Sequence, residues 1–507
     1  MKKIVMLRRA SQAFFLGLFI YILWSTTYPL RGFLPPHTFF ATNPHIMFLI
    51  SLCERVFLPG VLISSIFILL TLIFGRFYCG WICPLGAFID IAGALRRKRE
   101  PLNERASRAL SLPKFIWLFL SVLAAVFGIQ IAWAFDPMVI MARFVSLNLI
   151  PTVTLGAEKL FIFLIRDMRF EGAMDIYRSL KGSILGVKVS YFENSIPVFM
   201  FFALILVSAL FISRFWCRTI CPLGATYAIF ARPALFARRV DGCISCGACA
   251  RVCRTGAIKN DFSYEKGECV LCMDCVYSCP GGRTRFSFHG NAGGKREVSS
   301  GGKGLSRGEF LLVVISSIAA LGAKPFFRNR KETEESDVIR PPAALKEDDF
   351  LGVCIRCGNC MKVCPTNGLQ PAMMECGPAA LWTPKLVPDI GYCEYNCTLC
   401  GSVCPTGAIK KLTHAEKTTV KLGTAEVDRT ICLPWAHNQN CIVCEEHCPV
   451  PSKAIKIIEV PDPSGSGTIK RPVVDKSLCV GCGICQTKCP VRPQRAIRVS
   501  PDGAYRP

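Results

Sequence analysis

The sequence predicts a multidomain chain: an α-helical membrane module of four spans with an internal repeat, followed by two small α+β domains organised by cysteine. Three observations predict it. Apolar stretches near the length that crosses hydrocarbon recur in the first half. One segment carrying paired cysteines occurs there twice. Most of the 30 cysteines among the 507 residues fall into short runs in the second half.

Residues 1–240 form the membrane module. Lys2, Lys3, Arg8 and Arg9 precede an apolar run from Ala13 to Tyr28. A cleaved leader ends in small residues, whereas this run ends in Tyr28-Pro29-Leu30, so it reads as a retained helix. The further spans are Phe57–Phe74, Phe115–Phe135 and Ile196–Trp216. Arg96, Arg97, Lys98 and Arg99 follow the second span, and Arg232, Arg238 and Arg239 follow the fourth. Basic residues gather in cytoplasmic loops, which places the N-terminus and these loops inside. The run His45–Arg55 and residues 139–165 are apolar but interrupted, and read as lying along the outer face or re-entering. The repeat is Arg76-Phe77-Tyr78-Cys79-Gly80-Trp81-Ile82-Cys83-Pro84-Leu85-Gly86 against Arg214-Phe215-Trp216-Cys217-Arg218-Thr219-Ile220-Cys221-Pro222-Leu223-Gly224. Two helical hairpins related by a pseudo-twofold axis fit it.

Residues 241–282 carry two four-cysteine runs: Cys243, Cys246, Cys249, Cys253 and Cys269, Cys272, Cys275, Cys279. Such spacing wraps one loop around a 4Fe–4S cubane with three thiolates and sends the fourth to a neighbouring cluster. The expected sets are Cys243, Cys246, Cys249 with Cys279, and Cys269, Cys272, Cys275 with Cys253. Zinc wants two separated cysteine pairs rather than one tight run. Residues 283–308 are a Gly- and Ser-rich linker, and 309–327 hold a fifth apolar segment, Phe310–Ala323, either a span or an anchor. Residues 341–507 carry four more runs: Cys354, Cys357, Cys360, Cys364; Cys393, Cys397, Cys400, Cys404; Cys432, Cys441, Cys444, Cys448; and Cys479, Cys482, Cys485, Cys489. Both regions therefore read as α+β ferredoxin-like iron–sulfur domains, with six 4Fe–4S clusters on 24 cysteines at four per cubane.

Cys79, Cys83, Cys217 and Cys221 form the paired C-x3-C-P motifs at the membrane edge. They read as a metal or cluster site, a redox dithiol, or a packed turn. Cys53 and Cys376 read as packing residues. No C-x-x-C-H occurs, so covalent haem is not expected. No P-loop or dinucleotide fingerprint stands in a strand–turn–helix context. Electrons must then come from a diffusible or lipid-soluble donor or a partner protein. Glu54 interrupts an apolar run, and His37 and His45 lie in the same outer region, so these three are the candidates for a quinol site. A surface or ion-pair role is the alternative for each. The net charge of +24 does not argue for nucleic acid. Cytoplasmic loops account for part of it, and roughly two negative charges per bound cluster offset more.

Residues 1–282 resemble the NapH-type membrane polyferredoxins of periplasmic nitrate reductase systems, through the four spans, the two C-x3-C-P-L-G copies and the following two-cluster unit. Residues 306–507 resemble the NapG/MauM-type ferredoxins, through Arg340-Pro341-Pro342, Cys354-Ile355-Arg356-Cys357-Gly358-Asn359-Cys360 and the long-spaced run at Cys432. Ser306-Arg307-Gly308-Glu309-Phe310-Leu311 resembles a twin-arginine signal with Gly308 in place of the second arginine. The resemblance implies a fusion of both subunits. It also implies quinol oxidation, with electrons leaving for a periplasmic reductase or cytochrome c within a larger membrane complex. It further implies nested pairing in the last domain, first run with fourth and second with third. The expected location is a bacterial inner membrane, multi-pass, with residues 241–282 cytoplasmic and residues 341–507 periplasmic. Two rival readings stand beside quinol dehydrogenase: a metal-reducing assembly factor, and a wiring subunit without a quinol site.

Overall fold

The computed structural model describes residues 2–95, 104–168, 172–181, 190–259, 262–288, 338–462 and 467–507, apart from 29, 31, 33 and 376. The basic cluster at Arg96–Arg99, the fifth apolar segment and its signal-like start, and Cys376 lie outside the described residues. So does the linker beyond Phe288.

Among the described residues thirteen α-helices precede the first strand. They are α1 Lys2–Ser25, α2 His37–Ala41, α3 Pro44–Glu54, α4 Gly60–Phe74, α5 Phe77–Trp81, α6 Pro84–Ala94, α7 Glu104–Val126, α8 Pro137–Phe144, α9 Ile150–Arg166, α10 Ala173–Leu180, α11 Ile196–Phe211, α12 Phe215–Thr219 and α13 Pro222–Phe230. Four of them start with the same device. A residue able to accept a hydrogen bond stands at the N-cap and proline follows, where its missing N–H costs nothing. Asn43, Cys83, Asp136 and Cys221 cap α3, α6, α8 and α13 in this way.

The repeat read in the sequence is a repeat of structure. Each copy runs from an apolar helix through a five-residue helix to a capping cysteine and a proline-started helix. Cys83 and Cys221 share nearly the same backbone, at φ −60°, ψ 118° and φ −62°, ψ 110°.

Among the described residues three helices are long and apolar enough to cross a membrane: Lys3–Ser25, Ala109–Val126 and Pro137–Arg166. The first expected span falls on one of these; the third, expected at Phe115–Phe135, is shifted towards the N-terminus, since α7 ends at Val126 and a 3-10 turn stands at Ala132–Ala134. The second and fourth form shorter helices, α4 and α11, of 15 and 16 residues. The segment 139–165 differs from its expected interrupted form, because helix continues through it from Pro137 to Arg166. Pro151 removes a donor and crowds the preceding turn. The backbone answers with a π-turn at Val145–Leu149, which absorbs the mismatch without ending the helix.

The described residues fall into two units. One comprises Met1–Leu23, His37–Val145 and Pro197–Phe326. Its interior is apolar, with Ile46, Met138 and Val139 fully buried and Phe144 stacked on Phe202 at 3.8 Å. Its cysteine-rich part is closed by an antiparallel pair, β1 Phe236–Val240 with β2 Thr284–Phe288, in register Val240 to Thr284.

The other unit comprises Trp24–Pro36, Ser146–Ile196 and Phe327–Pro507. It holds three antiparallel pairs: β3 Leu369–Pro371 with β4 Pro384–Leu386, β5 Thr424–Val427 with β8 Ile497–Ser500, and β6 Ile455–Pro461 with β7 Thr468–Val474. The β5–β8 pair ties the end of the chain to the start of the third cysteine run.

Candidate metal centres

A left-handed residue flanks the second cysteine on both sides in each regular run. Ser245 (φ 55°) and Gly247 (φ 70°) flank Cys246; Leu271 (52°) and Met273 (62°) flank Cys272. Arg356 (55°) and Gly358 (85°) flank Cys357; Gly481 (67°) and Gly483 (83°) flank Cys482. These paired turns curl the loop around a central point. For bulky residues such as Leu271 and Met273 the conformation costs on the order of 1–3 kcal/mol each, and it persists only where the site imposes it.

The third cysteine then enters a short helix: Ala248–Val252, Asn359–Val363 or Ile484–Lys488. The fourth leaves it nearly extended, at ψ 112° for Cys253, 114° for Cys364 and 129° for Cys489, aimed away from its own loop.

Four cavities show where these fourth cysteines go. Cys279 joins Cys243, Cys246 and Cys249 around about 360 Å³. Cys364 joins Cys393, Cys397 and Cys400 around about 380 Å³. Cys489 joins Cys432, Cys441 and Cys444 around about 350 Å³, and Cys448 joins Cys479, Cys482 and Cys485 around about 320 Å³. Electrostatic neighbours complete the two other sets: Cys253 with Cys269, Cys272 and Cys275, and Cys404 with Cys354, Cys357 and Cys360.

The nested pairing is therefore corrected. The first run pairs with the second and the third with the fourth. Exchange between adjacent runs closes shorter loops, which costs less chain entropy than reaching across the whole domain.

The four sets of this domain also form an order. Cys360 lies within electrostatic range of Cys400. The Cys393 amide donates to the Cys482 carbonyl at 2.8 Å. Cys485 lies within range of Cys444. The sequence of sites is thus Cys354, Cys393, Cys479, Cys432, each named by its first cysteine.

The donor sets fit iron–sulfur clusters. Burial pushes the Cys393 and Cys272 thiols up to about 12, so thiolates form there only when cations compensate. N–H groups already point at several sulfurs: Ser245 N at 3.4 Å from Cys243, Ala425 N at 3.3 Å from Cys479, and Arg238 Nη2 at 3.3 Å from Cys249. Such donors tune a cluster's potential. Among the described residues no three His, Cys, Asp or Glu side chains close to the spacing of a single metal ion, which disfavours zinc.

The first cysteine-rich part is seated on the C-x3-C-P helix ends within its unit. Trp81 Nε1 donates to Leu271 O at 3.0 Å. A Cβ on Gly80 would lie 2.0 Å from Val270 O, so only glycine permits this backbone approach. Val270 and Leu271 lie between Cys269 and Cys272. Arg76 donates to Gly267 O at 2.9 Å and pairs with Glu268 at 3.2 Å, and Lys114 pairs with Glu268 at 2.5 Å. Burial raises the Glu268 carboxyl, but the Lys114 and Arg76 charges outweigh it and hold the group below its usual range. Asp90 accepts two hydrogen bonds from Arg214 at 2.9 and 2.8 Å, one from Gln12 at 2.9 Å and one from Arg8 at 3.3 Å. Arg254 pairs with Asp90 at 3.1 Å and with Asp274 at 2.6 Å.

The three quinol-site candidates are not brought together. His45 is buried in the first turn of α3 with its Nε2 unpartnered. Glu54 ends the same helix, roughly 13 Å along its axis. His37 is exposed at the start of α2. Sequence reading missed the buried polar set beside His45. Asp136, fully buried, accepts both 2.9 and 2.8 Å contacts from Asn43 Nδ2 and also caps α8. Thr42 and Tyr78 share a hydrogen bond at 2.8 Å, and the Tyr78 ring lies 5.3 Å from that of Tyr227. The signal was available: an acidic residue before proline at an apolar boundary is both a cap and an ionisable group out of place.

Fold and sites together define a ferredoxin-type iron–sulfur electron-transfer protein with apolar helices. Two family models, each described as a 4Fe-4S binding domain, match it: one at residues 56–103 and 195–241, the other at 239–259, 351–370 and 472–493. The methylamine utilization ferredoxin-type protein MauM of Methylobacillus flagellatus is 33% identical over 195 residues, covering 37% of this chain and 79% of that protein. The ferredoxin-type protein NapG of Escherichia coli is 32% identical over 187 residues, with 36% and 79% covered. An uncharacterized protein of Methanocaldococcus jannaschii is 26% identical over 238 residues, with 45% and 72% covered. No solved structure matches. The chain belongs to the MauM/NapG family of ferredoxin-type proteins.

Proposed function

We propose that this chain is a quinol dehydrogenase of the bacterial inner membrane, uniting a NapH-type membrane module with a NapG/MauM-type ferredoxin. The observation that carries the reading is the seating of the Cys269–Cys272 loop directly on the Cys79–Trp81 loop, at the ends of apolar helices. A lipid-soluble donor bound among those helices thereby stands one loop away from a cluster site.

Quinol becomes quinone by losing two electrons and two protons. Asp136, oriented by Asn43, is the group placed to take a proton, and His45 lies in the first turn of α3 that Asn43 caps. The apolar residues around them exclude water. Clusters supply one-electron chemistry when bound. We assign six, held by the 24 cysteines of the six runs.

The basic residues Arg232, Arg238 and Arg239 favour residues 241–282 in the cytoplasm. Residues 341–507 are placed in the periplasm. Their first cluster loop packs on residues that follow the first expected span and precede the fourth: Lys362 donates to Thr26 at 2.6 Å, and Asn367 to Tyr191 O at 2.6 Å. The Cys354 site is thus the near end of the four-site order and the Cys432 site the far end, where a periplasmic reductase or cytochrome c would dock.

Anaerobic addition of a menaquinol analogue to purified chain, followed by electron paramagnetic resonance, tests the proposal. Signals of reduced clusters are expected. A chain that dithionite reduces and quinol does not would overturn it and favour the wiring or assembly readings.

A further inference from the structure

We propose that Cys79, Cys83, Cys217 and Cys221 together hold one further 4Fe–4S cluster, shared between the two C-x3-C-P copies. Each family-model match over this region contains only two cysteines, at residues 56–103 and 195–241, and two thiols cannot ligate a cubane. Four are supplied only if the copies converge, and they do. Cys221 lies within electrostatic range of Cys217, Cys79 and Cys83. Arg214 of the second copy donates to Cys79 O of the first at 2.9 Å.

The site is built for an anion. The Gly86 amide points at Cys83 Sγ at 3.4 Å, and the Gly224 amide at Cys221 Sγ at 3.3 Å, each at the start of a helix of nine or more residues. Two arginines reach across between the copies. Arg76 Nη2 stands 2.9 Å from where a Cβ on Gly224 would lie, and Arg214 Nη2 stands 3.8 Å from the same point on Gly86. Both side chains are 1% exposed. Arg214 is satisfied by Asp90. Arg76 is not: its Nε and Nη2 are buried with no partner. Two orphaned N–H donors of a buried cation cost several kcal/mol unless an acceptor fills the space beside them. Uncharged thiols are poor acceptors. Thiolates around a cluster are strong ones, and a four-thiolate cubane carries roughly two negative charges.

Binding releases four protons, one from each thiol, and forms four sulfur–iron bonds. A single ion does not fit as well, since no three of these side chains close to mononuclear spacing. The cluster's use as a relay between quinol and the Cys269 site rests on the function proposed above; its existence does not.

Native mass spectrometry of the anaerobically purified full chain tests the inference without any mutation. The expected mass carries seven clusters, with about 28 iron and 28 sulfide per chain at four per cubane. A mass carrying six, or six plus one metal ion, overturns it. The double variant Cys83→Ser/Cys221→Ser should lose about four iron and four sulfide and keep the remaining signals. Unchanged iron in a folded variant also overturns it. Arg76→Gln should keep the iron and lower the midpoint potential of the cluster between the repeats most, with a smaller fall at the neighbouring Cys269 site that Arg76 also faces, because a positive charge is gone. Quinol is absent from all three measurements, so a failed quinol assay leaves them unaffected.

Discussion

Replacing Asp90 with alanine should unseat the first cysteine-rich part and lower stability more than any other single change at that junction. Asp90 gathers α1 through Arg8 and Gln12, the second repeat through Arg214, and the residues after Cys253 through Arg254. Its side chain is 8% exposed, and those of Arg8 and Arg214 are 1% exposed, so water cannot replace it. Arg254 keeps Asp274 as a partner, whereas Arg214 pairs with no other carboxylate among the described residues. Removing one side of a buried ion pair costs about 3–5 kcal/mol because the other charge is stranded. For a unit of this size that corresponds to a fall in Tm of about 6–20 °C. Intrinsic fluorescence during heating, on detergent-purified chain, measures it. Asp90→Asn keeps acceptors for Gln12 and one arginine, and should lie between wild type and alanine. A Tm within about 2 °C of wild type for Asp90→Ala would refute the reasoning.

Glu268→Gln should loosen the same junction through Lys114 and Arg76. Because the Glu268 carboxyl is held below its usual range, its contribution is complete above about pH 4.3 and fades as pH falls further. Wild type should therefore release its 241–282 part to a protease increasingly below that pH, and Glu268→Gln should show no such step. Gly80→Ala places a Cβ against Val270 O and should undock the Cys269–Cys272 loop, seen as faster cleavage there at neutral pH. Cys489→Ser should disturb the cluster of Cys432, Cys441 and Cys444 and spare that of Cys354, Cys357 and Cys360, a distinction electron paramagnetic resonance reads and nested pairing would reverse. Asp136→Asn should slow quinol-driven reduction about 10²–10⁴-fold while leaving dithionite reduction unchanged.

The grouping of the cysteines into loops was legible because a cubane demands a local pattern: three cysteines at fixed spacing, with a left-handed residue on each side of the second. The repeat was legible because Cys-Pro-Leu-Gly is a helix start written out in residues. Pairing among the four runs of residues 341–507 was not, since with more than one possible partner the fourth cysteine's destination depends on which loops pack together; the two runs of residues 241–282 had only each other. Helix extent failed at 139–165 because Asn148 and Pro151 look like breaks, whereas packing and a π-turn carry the helix through them. His45 was found and Asp136 was not. An apolar window hides a single acid at its edge, and only the fold shows Asn43 closing on it. Arg76 and Arg214 were visible in the repeat, but their crossing between copies is a property of the pseudo-twofold arrangement.

The central claim is that electrons from a membrane quinol enter this chain's clusters. It is tested most directly with oxidised full-length chain in anaerobic proteoliposomes, by adding a menaquinol analogue and following the visible cluster absorbance in a stopped-flow instrument. Bleaching that saturates with quinol concentration and reaches most of the amplitude dithionite gives is the expected result. No bleaching by quinol, with full bleaching by dithionite in the same preparation, would contradict it.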